Sequence, residues 1–220
     1  MRSASNRVRR ARPSLGTFVE ITARGNNEAK LHDAIGRAFN AIARVDRLMS
    51  FHRADSDVSN INLEAFQRKV TVDPWTWQVL RAAQKLSHQT DGIFDITVAR
   101  KLMQWKYLPR RYRNVSKGNW RDIVLEKNCT VRFRQPVIID LGGIAKGFAV
   151  DRAVKALKCA GLRSGVVNAG GDLRVFGLKS ELFTCVIRPS PCGRQARSPC
   201  VTVPWRPPEF ISPRKDVAGL

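Results

Sequence analysis

The stretch Ile139-Asp140-Leu141-Gly142-Gly143-Ile144-Ala145-Lys146-Gly147 gathers the groups that a phosphate needs. Its order is a short apolar run, a carboxylate, two glycines, a lysine and then a helical pattern. Glycines let the main chain come close to a ligand because no Cβ intervenes. A helix start adds unpaired N–H groups and the positive end of the helix dipole. Lys146 would contribute a point charge there, and Asp140 could accept from a hydroxyl or a base amine. The same residues also suit a plain tight turn from strand to helix, and the spacing is neither a Walker loop nor GxGxxG. Asn168-Ala169-Gly170-Gly171-Asp172 offers similar chemistry, or simply a hairpin turn. In Asp91-Gly92-Ile93-Phe94-Asp95-Ile96-Thr97 an aromatic that could stack on a flat ring stands among carboxylates and a hydroxyl. The alternative there is a turn into a strand with Phe94 buried. His32, His52 and His88 have no metal-site spacing; His32 and His88 fall on expected helices as surface groups, and His52 lies in a polar loop. Asp55 and Asp57 could form a carboxylate pair, but a solvated turn supported by Ser56 and Ser59 is the preferred reading.

These residues need elements to hold them. Thr17 to Ala23 alternates apolar and polar residues and is predicted as a strand entered through Leu15-Gly16. Apolar residues from Leu31 to Met49 recur at three- and four-residue steps and predict an amphipathic helix, followed by a polar loop from Ser50 to Asn62. Val70-Thr71-Val72 is a short strand, and Asp73-Pro74 caps a helix from Trp75 to about His88. Lys101 to Arg121 reads as a helix end and a long loop. Val137-Ile138-Ile139 is predicted as a buried strand, Gly142-Gly143 as a turn, and Lys146 to Cys159 as a helix closed by Gly161. Strands at 165–168 and 173–177 flank the Gly170-Gly171 turn. From Phe183 onward proline and cysteine accumulate, and no regular structure is expected. The fold class is therefore α+β, with helices packed on a mixed or mostly antiparallel sheet.

A chain of 220 residues can bury a substantial core, and 43% hydrophobic residues are ordinary for a globular protein. The formal charge of +21 is not ordinary. It favours a polyanionic partner without naming one, and no reading helix or aromatic-basic platform marks specific nucleic-acid recognition. No apolar run is long enough to span a membrane. The basic segment 1–13 lacks the hydrophobic stretch of a secretion signal, so a cytoplasmic location is expected. Five scattered cysteines without a CxxC pair fit reduced thiols.

Taken in order, these motifs resemble the FAD:protein FMN transferases, the ApbE family. Leu15-Gly16-Thr17 is similar to its opening Met-Gly-Thr strand, and Leu48 to Asn62 to its first loop. Gly92 to Asp95 matches its Gly-x-Phe-Asp segment, and Trp105 stands where the family often has Trp. Asp140 to Gly147 matches the most specific block, and Asn168 to Asp172 follows at the expected distance. The resemblance implies transfer of FMN from FAD to a Thr or Ser hydroxyl of an acceptor flavoprotein, with magnesium and release of AMP. It implies that Leu15, His52 and Ile93-Phe94-Asp95 line the FAD site, with Gly170 and Gly171 also binding the cofactor. Asp140 and Lys146 would contact the adenosine or diphosphate part, and Gly143 would serve the magnesium site.

The match covers about Ser14 to Val203, which sets the domain at 14–203. Family motifs that normally follow, including the late magnesium ligands, are not readable, so an impaired transferase is expected. The frame starting at the third base of the Pro204 codon permits Ala-Thr-Ser-Gly-Val-Tyr, the next family motif. A frameshift there would make 204–220 an unstructured tail, and an uncovered edge would favour poor solubility or a homodimer. Two other functions stay open: an FAD-binding remnant without transfer, and a basic nucleic-acid-binding protein.

Overall fold

The computed structural model describes residues 6–112, 115–177, 181–185 and 201–205. The chain divides into two units, Met1–Phe176 and Gly177–Leu220. In chain order the first unit holds β1 (Asn6–Ser14), β2 (Thr17–Gly25), α1 (Glu28–Met49), α2 (Asp57–Glu64), β3 (Val70–Thr71) and α3 (Pro74–Gln89). It continues with α4 (Ala99–Gln104), β4 (Ile123–Glu126), β5 (Thr130–Phe133), α5 (Gly142–Cys159), β6 (Ser164–Ala169) and β7 (Asp172–Phe176). The second unit contributes β8 (Glu181–Cys185) paired antiparallel with β9 (Val201–Trp205).

The main sheet has the order β1-β2-β6-β7, antiparallel throughout. Alternation puts Val19, Ile21 and Ala23 of β2, with Val167 and Ala169 of β6, on one fully buried face. Helices α1 and α5 pack on each other over that face. α1 presents Leu31, Ile35, Phe39, Ile42 and Met49, and α5 presents Ala149, Ala153, Val154 and Leu157. Each fully buried Leu or Ile stabilises this layer by about 1.5–3 kcal/mol. A small sheet, β3-β5-β4, lies apart from the first. The α+β class read from the sequence is the observed one.

Helix signals behaved as their chemistry requires. The Asn27 side chain accepts from the Lys30 N–H to start α1, and Asp73 accepts from the Trp75 N–H ahead of Pro74 to start α3. Several readings need correction. Residues 6–13 of the basic segment 1–13, with Ser14, form an edge strand of the main sheet; Val8 alone is buried there, so arginines hide the alternation. The polar loop from Ser50 contains α2, capped by the Ser56 hydroxyl accepting from the Ser59 N–H. Its three inward residues, Val58, Ser59 and Ile61, were too few to show a period.

Residues 137–139 are buried but form no ladder. In place of a neighbouring strand, the Asn62 amide accepts from the Ile139 N–H at 2.8 Å and donates to the Ile139 carbonyl at 2.9 Å. Gly142-Gly143 is the first turn of α5 and not a separate turn. Residues 93–97 do not become a strand; Asp95 caps a short 3-10 turn, Ile96–Val98, leading into α4. The β4–β5 hairpin went unread because its turn carries positive φ at Asn128 and Cys129, with no glycine to announce it. The tail expected to be irregular supplies β8 and β9, and Pro204 and Trp205 of the expected out-of-frame piece belong to β9. Residues 206–220 lie outside the described residues. No described helix is long and apolar enough to cross a membrane.

Candidate functional site

One cleft of about 240 Å³ collects residues from four parts of the first unit. The β1–β2 turn brings Leu15 and Gly16; the end of α1 and the residues after it bring Asp46, Met49, Phe51 and His52. Leu108 closes one side, and Asp140, Gly142, Ala145 and Lys146 come from the start of α5. Larger hollows exist elsewhere, of about 560 and 550 Å³, but neither gathers these groups.

Local chemistry fixes each wall. Ser14 pairs with Thr17, so Leu15 (φ 56°) and Gly16 (φ 69°) make a two-residue hairpin turn of the kind that follows strand twist. A leucine at positive φ costs about 1–2 kcal/mol, and in return its side chain stands in the cleft wall. Beyond α1 the Ser56 hydroxyl donates to the Ser50 carbonyl at 2.7 Å, and the Ser59 hydroxyl donates to the Arg53 carbonyl at 2.5 Å. These bonds hold the turn that carries His52. Phe51, almost fully buried, meets Tyr112 edge-on with ring centroids 5.5 Å apart.

Asp55 pairs with Arg53, and Asp57 accepts from the Asp73 N–H and the Thr76 hydroxyl. The two carboxylates do not pair with each other: Asp55 is exposed on the turn, while Asp57 is the first residue of α2 and ties it to the start of α3, so the solvated-turn reading holds for Asp55 and not for Asp57.

Asp140 is the cleft's most constrained group. Its N–H donates to the Ile96 carbonyl at 2.8 Å, and its carboxylate accepts from the Gly142 N–H at 3.1 Å. A Cβ at position 142 would come within 2.9 Å of that carboxylate, so glycine is what lets Asp140 fold over the helix start. Burial pushes the Asp140 carboxyl above its ordinary range, against the opposing pull of the Gly142 N–H and of nearby His52. Lys146, one helical turn past Gly142, lines the same cleft.

The remaining sequence-predicted residues divide. The Phe94 ring edge lies 3.5 Å from where a Gly143 Cβ would stand, which sets the aromatic beside the start of α5. Gly170 (φ 60°) and Gly171 (φ 107°) form the β6–β7 turn and do not line the cleft. That turn is its neighbour, since a Gly170 Cβ would meet the Thr17 hydroxyl at 2.6 Å. Ile93, 93% exposed, and Asp95 line the separate 550 Å³ hollow. The Asp95 carboxylate is occupied, accepting from the N–H and hydroxyl of Thr97 and from the Trp120 N–H. Sequence reasoning missed Asp46 and Leu108 as cleft residues: Asp46 is one of several charges on α1, and Leu108 carries no chemical signal of its own.

A magnesium ion wants several hard oxygen ligands in near-octahedral array. Among the described residues no three His, Cys, Asp or Glu side chains converge on one point. Gly143 could offer only its main-chain carbonyl, which in α5 points along the helix. The described residues do not make a magnesium cage by themselves.

The model of the ApbE family matches residues 15–199, most of the chain and all of the cleft. This chain belongs to the ApbE family. Among curated ApbE relatives, the FAD:protein FMN transferase of Rhodobacter capsulatus is 30% identical over 180 residues, covering 74% of this chain and 33% of that protein. The FAD:protein FMN transferase of Klebsiella pneumoniae (strain 342) is 28% identical over 152 residues, covering 64% and 48%. The chain therefore spans about half or less of these relatives. Of solved structures, the ApbE protein of Thermotoga maritima superposes with a TM-score of 0.74 at 27% identity, covering 91% of this chain and 68% of that one. The flavin transferase ApbE of Vibrio cholerae gives 0.71 at 24% identity, covering 82% and 64%, a likeness of fold.

Proposed function

We propose that this chain carries the FAD-binding portion of an FAD:protein FMN transferase. The reaction is transfer of FMN from FAD to a Thr or Ser hydroxyl of an acceptor flavoprotein, with release of AMP and dependence on magnesium. The observation that supports it is the convergence of Leu15, His52, Asp140, Gly142 and Lys146 on one cleft from distant parts of the sequence. Its volume falls below the roughly 300–1,000 Å³ of a typical ligand pocket, so it takes one part of the dinucleotide while the rest lies outside. In this reading the Gly143 N–H at the start of α5 and Lys146 hold the diphosphate, where the helix dipole and a cation favour negative charge; the Gly142 N–H is already given to Asp140, and those of Ile144 and Ala145 to the Leu141 carbonyl. Asp140 accepts from the nucleoside, Leu15 gives an apolar wall of the cleft, and Phe94, beside the start of α5 and outside the cleft, faces the part of the dinucleotide that extends beyond it.

The acceptor hydroxyl oxygen attacks the FMN phosphorus, the bond to the AMP oxygen breaks, AMP departs and the hydroxyl proton is released. Groups preorganised around the diphosphate lower the cost of charge developing as that bond breaks. Magnesium belongs to the full reaction in this proposal. The test is incubation with FAD, magnesium and an acceptor flavoprotein. Covalent flavin on the acceptor supports transfer, bound FAD without transfer reduces the role to binding, and absence of FAD binding overturns the proposal.

A further inference from the structure

The segment leading into the cleft wall has a surface that the flavin site leaves unused. From Ile96 to Arg121 the sequence contains no acidic residue, while Arg100, Lys101, Lys106, Arg110 and Arg111 fall within it. None of these five forms an ion pair among the described residues. Two large aromatics stand out among them: Trp105 is 62% exposed and Tyr107 is 75% exposed.

The backbone holds them there. Helix α4 ends with the Tyr107 N–H donating to the Leu102 carbonyl at 2.9 Å and the Lys106 N–H donating to the Met103 carbonyl at 3.2 Å. That is the double bond pattern of a helix stop whose left-handed residue is usually glycine. Here Lys106 occupies it at φ 64°. A glycine would relieve the strain, so the position holds a cation at a conformational cost. One residue past Tyr107 the chain enters the cleft wall as Leu108.

We propose that this strip is the docking surface for the acceptor protein, which presents an acidic segment beside its target hydroxyl. The proposal rests on the reading of the cleft as a flavin-transfer site. A partner arriving at that mouth has to be a protein, because a protein hydroxyl receives the group. Exposed cations close together in sequence, none of them ion-paired among the described residues, call for carboxylates and steer their approach. Exposed Trp and Tyr supply the contact area that charges alone do not, since they anchor protein interfaces.

The experiment uses the full chain and a fluorescein-labelled, glutamate-rich peptide with one central threonine, followed by anisotropy near physiological salt. One variant carries Lys101→Glu, Lys106→Glu, Arg110→Glu and Arg111→Glu; a second carries Trp105→Ala and Tyr107→Ala. Peptide affinity should fall about tenfold or more in the first variant and severalfold in the second, with FAD affinity unchanged in both. Equal peptide binding by wild type and both variants overturns the proposal. So does oligothymidylate of equal charge, or a phosphatidylserine vesicle, binding more tightly than the peptide and losing that binding in the same variants. Because peptide anisotropy needs no flavin, a wild-type chain that fails to bind FAD is recognised separately as failure of the cleft reading.

Discussion

Asn62→Ala should be among the more damaging single changes in this protein, although the residue does not line the cleft. The Asn62 amide is the partner of both main-chain groups of Ile139, at 2.8 and 2.9 Å, and Ile139 is fully buried. No other hydrogen bond of those two groups is present among the described residues. Truncation leaves a buried donor and a buried acceptor without partners, at about 1–3 kcal/mol each. Entry of a water would hold the loss near the lower end, giving about 2–4 kcal/mol in all. For a domain of this size that corresponds to a fall in Tm of roughly 5–15 °C.

The assay is urea unfolding with thermal melts of wild type and variant in parallel, together with FAD titration, since Asp140 is the next residue. Asn62→Asp sharpens the test. Its carboxylate still accepts from the Ile139 N–H but faces the carbonyl with another acceptor, so the loss should be similar at neutral pH. Acidification protonates it, restores a donor, and should narrow the gap to wild type measured at the same pH. An Asn62→Ala protein within about 0.5 kcal/mol of wild type would refute the argument that this amide replaces a strand.

Asp140→Asn should match wild type in stability below the ordinary carboxylate pKa and gain on it as pH rises. The folded-state pKa of Asp140 is raised by burial, so its favourable contribution is present at low pH and is lost as pH climbs through that value; stability curves across pH check this. Gly170→Ala should destabilise by about 1–3 kcal/mol. The new Cβ sits at φ 60° and 2.6 Å from the Thr17 hydroxyl, and an unchanged melt would show that the two turns are not in contact. In Leu15→Gly the relief of strain at φ 56° is offset by lost packing on the core and by glycine's extra unfolded-state entropy, so Tm should change little or fall slightly while FAD binding weakens. A variant that binds FAD as wild type does would remove Leu15 from the site.

Much of the framework was readable because its signals are local. Asn27, Asp73 and Pro74 mark helix starts by hydrogen bonds they make within a few residues. The stripe of α1 and the alternation of β2 each repeat often enough to show their period. The strand at 6–14 was hidden because edge position leaves arginines on both faces, and its order comes from pairing with β2. Ile139 misled for the opposite reason: its run looks like a buried strand, but the hydrogen bonds come from a residue 77 positions earlier.

The site shows the same division. Asp140, Gly142 and Lys146 were legible together because they share one helix start. The family resemblance sets Ile93 and Asp95 beside them, yet the turn at Asp91-Gly92 and the Asp95 cap send both residues to another hollow. Leu108 gave no signal, since only the fold brings that segment to the cleft.

The most direct measurement compares FAD with riboflavin, which shares the ring system and lacks phosphates, binding to wild type and to Lys146→Ala. With the diphosphate at the α5 start beside Lys146, FAD affinity should drop about tenfold while riboflavin binding stays the same. Equal losses for both ligands, or no loss for FAD, would contradict that placement.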